Sequence, residues 1–371
     1  MGAEPLSIEL SDDQAVAAEL LQSFIDDPWP TKPYVVLHGL AGTGKTTLLA
    51  ATARRYPRII LVAFTGKAAA VLRRKFPGAE VSTLHSVLYH YRGSAPDESD
   101  PTVMNPIFQP KGMSLAHQVV MLDECSMIST ALAEELLATG ARVVAAGDPG
   151  QLPPVHGSQF FIEPSVSLTK IHRQAEGSAI IRQAHAIRST GEYEADGETF
   201  RVISRANPED LLSADILLCY RNRTRVRLNA RKRALLGLAG PLKSGEPIMC
   251  LRNTHELGIF NGEIYQLMQD VSDDRTSINL VDDRGRVVFV PVATVEGSDP
   301  EYETNRYSEI FVPFAPAYAS TVHKFQGSEC PSVLLLDEAD RDRTRYLYTG
   351  VTRASERATV LRWRDSCRST T

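Results

Sequence analysis

The chain has 371 residues, 43% of them apolar, with 40 Lys+Arg against 45 Asp+Glu and a formal net charge of −5. That is enough chain for two ordinary domains with their own cores, and the composition is neither that of a disordered protein nor that of a membrane-spanning one. The mild negative balance does not announce a nucleic-acid binder, so any such claim has to rest on local sites. Five cysteines (Cys125, Cys219, Cys250, Cys330, Cys367) are scattered, with no Cys-x-x-Cys pair. This argues against a zinc ribbon or disulfide framework and for a reducing compartment. The start, "MGAEPLSIELSDDQ", is acidic and lacks a basic-then-apolar pattern, so no export signal is expected; without Ser or Thr at the sixth place it is also a poor myristoylation match.

Ser11-Asp12-Asp13-Gln14 opens an amphipathic stretch and matches a helix capping box, with Ser11 as N-cap and Gln14 reaching back. "YVVLH" (34–38) is a short apolar strand, followed by "GLAGTGKTT" (39–47) and a stretch with helical spacing. Strand, Gly-rich loop and helix in that order form a phosphate cradle. Gly39, Gly42 and Gly44 let the backbone wrap a phosphate, with Ala41, Thr43 and Thr47 completing the turn. Lys45 can reach the β- and γ-phosphates of ATP, and the Thr46 hydroxyl can hold Mg²⁺.

"IILVAF" (59–64) reads as a strand buried on both faces. It leads into Thr65-Gly66-Lys67 and the helix "KAAAVLRRKF", whose N-terminus offers N–H groups to a phosphate. Thr83 and His85 in "STLHSV" stand similarly before a helix, as do Thr321, His323 and Lys324 in "STVHKFQG". Each histidine could equally be a packed structural residue; the Thr-x-His pair in both halves strengthens the case for a shared role in holding a strand. "QVVMLDECSMIS" is a further strand ending in Asp123-Glu124, where Asp123 can hold the Mg²⁺ shell and Glu124 can polarise an attacking water. In "ARVVAAGDPGQLPPV" (141–155), Asp148 fits a turn and Gln151 is an amide able to sense a γ-phosphate.

About thirty Pro-, Gly- and Asp-rich residues separate "LHSVL" from "VVMLDE". "RNRTRVRLNARKR" (221–233) is the most basic stretch; at helical spacing Val226, Leu228, Leu235 and Leu236 could face a core with the arginines outward, either solvated or on a nucleic-acid backbone. From about 244 to 315, "EPIMCLRN", "GEIYQLMQDV", "TSINLVDD" and "RVVFVPV" read as short strands with turns at "FNGE" and "DDRG", and "EGSDPEYETNRYSE" as a solvated acidic arm.

Taken in order, "GLAGTGKTT", "FTGKAAAVL", "VSTLHSVL", "LDECSM", "GDPGQLPPV", "LTKIHRQ", "YASTVHKFQGSE" and "LYTGVTRA" resemble the motifs of superfamily 1 helicases of the RecD/Dda-like subgroup, over nearly the whole chain. The resemblance implies an α/β fold of two RecA-like P-loop domains with parallel sheets, ATP between them, and 5′→3′ movement along single-stranded DNA. It places domain 1 at 1–165, domain 2 at 166–243 plus 316–371, and an SH3-like β-barrel insertion at 244–315. It puts a strand-separating pin at about 88–116, with Tyr89, Tyr91, Phe108 and Met113 as unranked candidates for its tip. It makes Arg173 and Arg353 arginine fingers, adds Gly327 and Glu329 to the nucleotide site, and gives Gln14 an adenine-reading role that competes with the capping bond. The expected partners are single-stranded DNA and ss/dsDNA junctions, with no membrane, in a bacterial or phage-infected cytoplasm, acting as a monomer in repair, recombination or replication. A nucleic-acid-stimulated translocase that does not unwind is the alternative reading.

Overall fold

The computed structural model describes residues 10–56, 58–96, 104–155, 157–171, 177–238, 240–251, 257, 259, 262–271, 277–282, 285–290, 292–295 and 311–362. Short runs of β-branched and small apolar residues build its first sheet. The strands of the first half are β1 (Tyr34–Gly39), β2 (Ile60–Ala63), β3 (Glu80–Thr83), β4 (Tyr89–Pro96), β5 (Met104–Pro110), β6 (Val119–Leu122), β7 (Arg142–Gly147) and β8 (Val166–Leu168). Six of them pair in the order β3-β2-β6-β7-β1-β8, every pair parallel. Helices α1 (Asp12–Asp26), α2 (Lys45–Arg55) and α3 (Gly66–Lys75) cover one face, packing Leu21, Leu48 and Leu72 on Leu37 and Leu61. Helices α4 (Leu84–Leu88) and α5 (Thr130–Ala138) cover the other, packing Val87 and Leu136 with Val36, Val62 and Val143. Burial on both faces is why these strands read as continuous apolar runs. Because β8 pairs with β1, the first sheet runs past the break expected at residue 165.

The second half supplies α6 (Ala179–Thr190), β9 (Phe200–Ile203), α7 (Pro208–Ser213), β10 (Ile216–Cys219), α8 (Asn222–Leu235), β11 (Pro247–Cys250), β12 (Ile264–Leu267), β13 (Ile278–Val281), β14 (Val287–Val290), β15 (Val292–Val295), β16 (Phe311–Pro316), β17 (Ala319–Thr321), α9 (Val322–Phe325), β18 (Cys330–Asp337), α10 (Arg343–Val351) and β19 (Ala354–Arg362). A second all-parallel sheet runs β17-β10-β18-β19-β9. Between β10 and β17 the chain leaves to form a separate sheet, β14-β13-β12-β11-β16-β15, around Ile248, Tyr265, Leu280 and Phe314. The four strands read from the sequence in 244–315 are all there, joined by β15 and β16. The Asp282–Gly285 turn is closed by the Gly285 N–H on the Asp282 carbonyl at 3.0 Å. The acidic stretch 296–309 lies outside the described residues.

Two expectations are corrected. In α8 Leu228 and Leu235 pack half-buried against the core of Leu211, Leu217 and Leu334 as expected, but the fully buried positions are Arg225, Asn229 and Lys232, while Val226 is 41% exposed and Leu236 is exposed as well. The reason is that α8 covers the edge strand β17. Asn229 takes both backbone groups of Ala319, accepting from its N–H at 2.8 Å and donating to its carbonyl at 3.3 Å. Lys232 donates to the Ala214 carbonyl. An edge strand needs polar partners more than apolar ones. Arg223, Arg227 and Arg231 form the outward stripe. The second correction concerns the β4–β5 hairpin. Tyr89 pairs with Pro110 and Tyr91 with Phe108, close to its base, and Met113 lies beyond β5. The register closes at Pro96↔Met104, so the connecting segment is 97–103, outside the described residues, and none of the four tip candidates belongs to it.

Candidate functional site

The site lies outside the carboxyl ends of the parallel strands, where open α/β sheets place ligands. β1 runs into Gly39, and α2 begins at Lys45. Gly42 (φ 83°) and Gly44 (φ 77°) adopt the left-handed conformation that turns the chain around the cradle. A Cβ on Gly39 would fall 2.5 Å from Thr43 Oγ1 and 2.9 Å from Lys45 Cγ, so that position has to be bare. The Lys45 ammonium donates to the Gly39 and Leu40 carbonyls at 2.5 and 3.1 Å, and Thr43 Oγ1 donates to Leu40 O at 2.8 Å. Thr46 and Thr47 line the same cleft.

Gln14 makes the capping bond: its Oε1 accepts from the Ser11 N–H at 3.1 Å. Its Nε2 donates to the Thr43 carbonyl of the loop at 3.3 Å, and the residue is 1% exposed. Gln14 therefore braces the loop, and reading an adenine would require it to release these bonds.

Its neighbour Asp13 accepts from the Thr169 and Lys170 N–H groups at 2.8 and 2.9 Å. Partial burial opposes its ionisation, but the Ser11 hydroxyl and the amides of Lys170, Thr169 and Gln14 outweigh that and hold the carboxyl down to about 2. A depressed carboxylate stabilises the fold above its unfolded value and loses that contribution as pH falls through the folded one. Asp13→Asn is therefore expected to lower stability by about 1 kcal/mol at neutral pH, solvent screening included. In thermal melts the gap to the wild type should narrow between about pH 4 and pH 2.

β6 delivers Asp123 and Glu124 to the cleft floor. The Asp123 N–H donates to Val62 O at 3.0 Å and the Glu124 N–H to Asp123 Oδ1 at 2.9 Å. Glu124 has φ 55°, an uncommon conformation for a residue with a Cβ and one that concentrates at functional sites. Burial pushes both carboxyls upward; the Lys45 charge opposes this at Asp123, and Arg353 opposes it at Glu124.

The opposite wall comes from the second sheet, giving a cleft of about 1120 Å³ lined by Lys45, Asp123, Glu124, Gln151, Glu329 and Arg353 among others. Arg353 is 5% exposed. Its Nε donates to Thr349 O at 3.1 Å and Nη1 to Ser328 O at 3.3 Å, and Nη1 stands 4.0 Å from Glu124 Oε1. Gly327 (φ 77°) is pressed onto α3, where an added Cβ would lie 3.1 Å from the Ala68 Cβ. Gln151 Oε1 accepts from Gln326 Nε2 at 3.0 Å, which also donates to Leu152 O at 3.3 Å. Tyr348, fully buried, donates to Asp148 Oδ2 at 2.6 Å and accepts from the Ala41 N–H of the phosphate loop at 2.9 Å. Asp148 is thus more than a turn residue: with Tyr348 it ties the loop to the second sheet. Sequence reasoning missed Tyr348, Gln326 and Ser328, although all three fall inside the quoted motifs. Arg173 lies outside the described residues.

The expected nucleic-acid residues gather at the same sheet edges. Thr65, Thr83 and Thr321 are N-caps of α3, α4 and α9, accepting from Ala68, Ser86 and Lys324 N–H at 3.1, 3.2 and 3.4 Å. Thr65-Gly66 follows β2, adjacent to β3 and Thr83. Lys67 follows Gly66 in the first turn of α3. His85 packs among Phe64, Tyr89 and Phe108, with ring centroids 5.7–6.0 Å apart, joining the end of β2 to the hairpin base. Burial lowers the pKa of His323, and Lys324 is exposed.

A Gly-rich loop with an invading lysine, a carboxylate pair on the next strand but one, and an arginine reaching over from a second parallel sheet define a P-loop nucleotide-binding protein of two sheet units. The chain belongs to the AAA domain family, whose model matches residues 9–202, and a UvrD-like helicase C-terminal domain model matches 316–361. Over 407 residues the chain is 28% identical to the RecBCD enzyme subunit RecD of Mycolicibacterium smegmatis, covering 88% of this chain and 68% of that one. It is 29% identical over 362 residues to the ATP-dependent RecD2 DNA helicase of Deinococcus radiodurans, covering 87% of this chain but only 46% of that protein. The fold matches a Pif1 helicase solved at forked dsDNA (TM-score 0.62, 20% identity, 95% and 91% coverage). It also matches Bacteroides Pif1 bound to ssDNA (TM-score 0.60, 20% identity, 95% and 92% coverage). No helix among the described residues is long and apolar enough to cross a membrane.

Proposed function

We propose that the chain is an ATP-dependent DNA helicase that moves 5′→3′ on single-stranded DNA and parts duplex at ss/dsDNA junctions. The observation that carries this reading is Arg353, buried in the second unit yet 4.0 Å from Glu124 of the first. A nucleotide between them links hydrolysis to the relative position of the two sheets. Lys45 neutralises the β- and γ-phosphates, Glu124 takes the proton of the attacking water, and Arg353, with Arg173, faces the charge that develops on the phosphoryl group. Gln151 joins that end of the site to Gln326, three residues after His323, so phosphate state and strand contact share one network. Thr46 and Asp123 are hard oxygen donors beside the phosphate loop, which suits Mg²⁺ with its preference for few protein ligands plus phosphate and water. When bound, the ion would neutralise phosphate charge.

Thr65, Gly66, Lys67, Thr83 and His85 in the first unit, with Thr321, His323 and Lys324 in the second, would hold the strand backbone across the sheet edges. On this reading the β4–β5 hairpin is the pin and the β11–β16 sheet the SH3-like insertion. Stimulation of ATP turnover by single-stranded DNA tests the motor, and turnover indifferent to DNA would refute it.

One observation favours the second reading, a translocase that does not unwind unaided. The segment joining β4 to β5, "DESDPTV" (97–103), carries three carboxylates and no aromatic side chain to stack on a base pair. Deleting 92–112 is expected to abolish strand separation and spare DNA-stimulated turnover; unwinding that survives the deletion rules the hairpin out as the pin.

A further inference from the structure

Two buried side-chain oxygens of residues lining the cleft, Glu124 Oε2 and Ser328 Oγ, lack a hydrogen-bond partner among the described residues; so does Oε1 of Gln326, the residue bonded to Gln151. Gln326 and Ser328 are each 1% exposed, and Ser328 lines the cleft with Lys45, Asp123 and Glu124. Buried polar oxygens in native proteins are almost always paired, so unpaired ones gathered in one cleft point to something that enters it. The Ser328 backbone is fixed on both sides. Its N–H donates to Phe325 O at 3.1 Å, and its carbonyl accepts from Arg353 Nη1 at 3.3 Å. That same nitrogen is 4.0 Å from Glu124 Oε1, so Ser328 and Glu124 flank one guanidinium from the two sides of the cleft.

We propose that Ser328 is a further catalytic residue, its Oγ holding the attacking water jointly with Glu124 Oε2. A water has two protons to give. With one directed to Glu124 Oε2 and the other to Ser328 Oγ, a lone pair on its oxygen is aimed at the γ-phosphorus. In the step, that oxygen bonds to the γ-phosphorus and the bond from phosphorus to the β,γ-bridging oxygen breaks. ADP leaves with the electron pair, and the proton passes to Glu124; Ser328 orients the water and keeps its own proton. Glu124 alone leaves the water free to swing, and a second anchor removes that freedom.

The proposal rests on the hydrolytic reading above, and the test separates the two. The full chain, as wild type, Ser328→Ala and Ser328→Thr, is assayed for ATP turnover with saturating single-stranded DNA. Affinity is measured for a fluorescent non-hydrolysable ATP analogue and for ADP with aluminium fluoride, and folding is checked by urea midpoint. Ser328→Ala is expected to lower kcat by about ten- to a hundredfold and to weaken the aluminium fluoride complex. Analogue affinity, KM and the urea midpoint should stay within about twofold, and Ser328→Thr, which keeps the hydroxyl, should recover part of the rate. Wild-type turnover by Ser328→Ala overturns the proposal. So does a rate loss matched by equal loss of analogue binding or of the urea midpoint, or a threonine variant as slow as alanine. A wild type that hydrolyses no ATP overturns the hydrolytic reading itself, and this proposal with it.

Discussion

Replacing Arg353 with alanine is expected to slow ATP turnover by about a thousandfold, on the order of 4 kcal/mol of transition-state stabilisation. The guanidinium is buried and held at three points, by Thr349 O, Ser328 O and Thr352 Oγ1, so its charge is in place before the reaction begins. A fixed charge costs no reorganisation as the phosphoryl charge spreads. Lysine should rescue little, because a single ammonium cannot reproduce that fork of bonds. Losing Arg353 also removes the cation that opposes the upward push of burial on Glu124. The carboxyl is then protonated at higher pH, and with ionised Glu124 as the proposed base the acid limb of the pH–rate profile should move upward. A thousandfold loss with an unmoved acid limb would keep Arg353 in the transition state but separate it from Glu124.

Glu124→Gln is expected to cost about a hundred- to ten-thousandfold in turnover while ATP still binds. Glutamine keeps the size and one acceptor but cannot take a proton, so the loss should fall on kcat, with KM little changed. The substitution also removes a buried carboxylate whose pKa burial raises, so the urea midpoint should not fall. A variant that turns over ATP at the wild-type rate would remove Glu124 from the chemistry.

The phosphate loop was legible because its chemistry is local: glycines, lysine and threonine at fixed spacing between a strand and a helix. Asp123 and Glu124 were legible for the same reason, at the end of an apolar run. The rest of the site depends on contacts between residues far apart in the chain. Tyr348 meets Ala41 across 307 positions and Gln326 meets Gln151 across 175, separations at which no periodicity carries information. In α8 apolar spacing finds Leu228 and Leu235, which pack on the core, but it does not reveal that the edge strand β17 takes the amide of Asn229 or that the Ala214 carbonyl takes the ammonium of Lys232. Gln14 was divided between a local bond and a ligand, and the fold spends its amide on the helix cap and the loop. Neither the resemblance nor a Pro- and Gly-rich composition sets the register of the hairpin, so neither tells that Tyr89, Tyr91 and Phe108 stand near its base.

The most direct test of the account is strand separation by the purified chain with ATP and Mg²⁺, on duplexes carrying either a 5′ or a 3′ single-stranded tail. ATP turnover would be read in the same reactions. Unwinding is expected from the 5′ tail alone, with turnover raised by either strand. Unwinding from the 3′ tail, or turnover that ignores DNA, would contradict it.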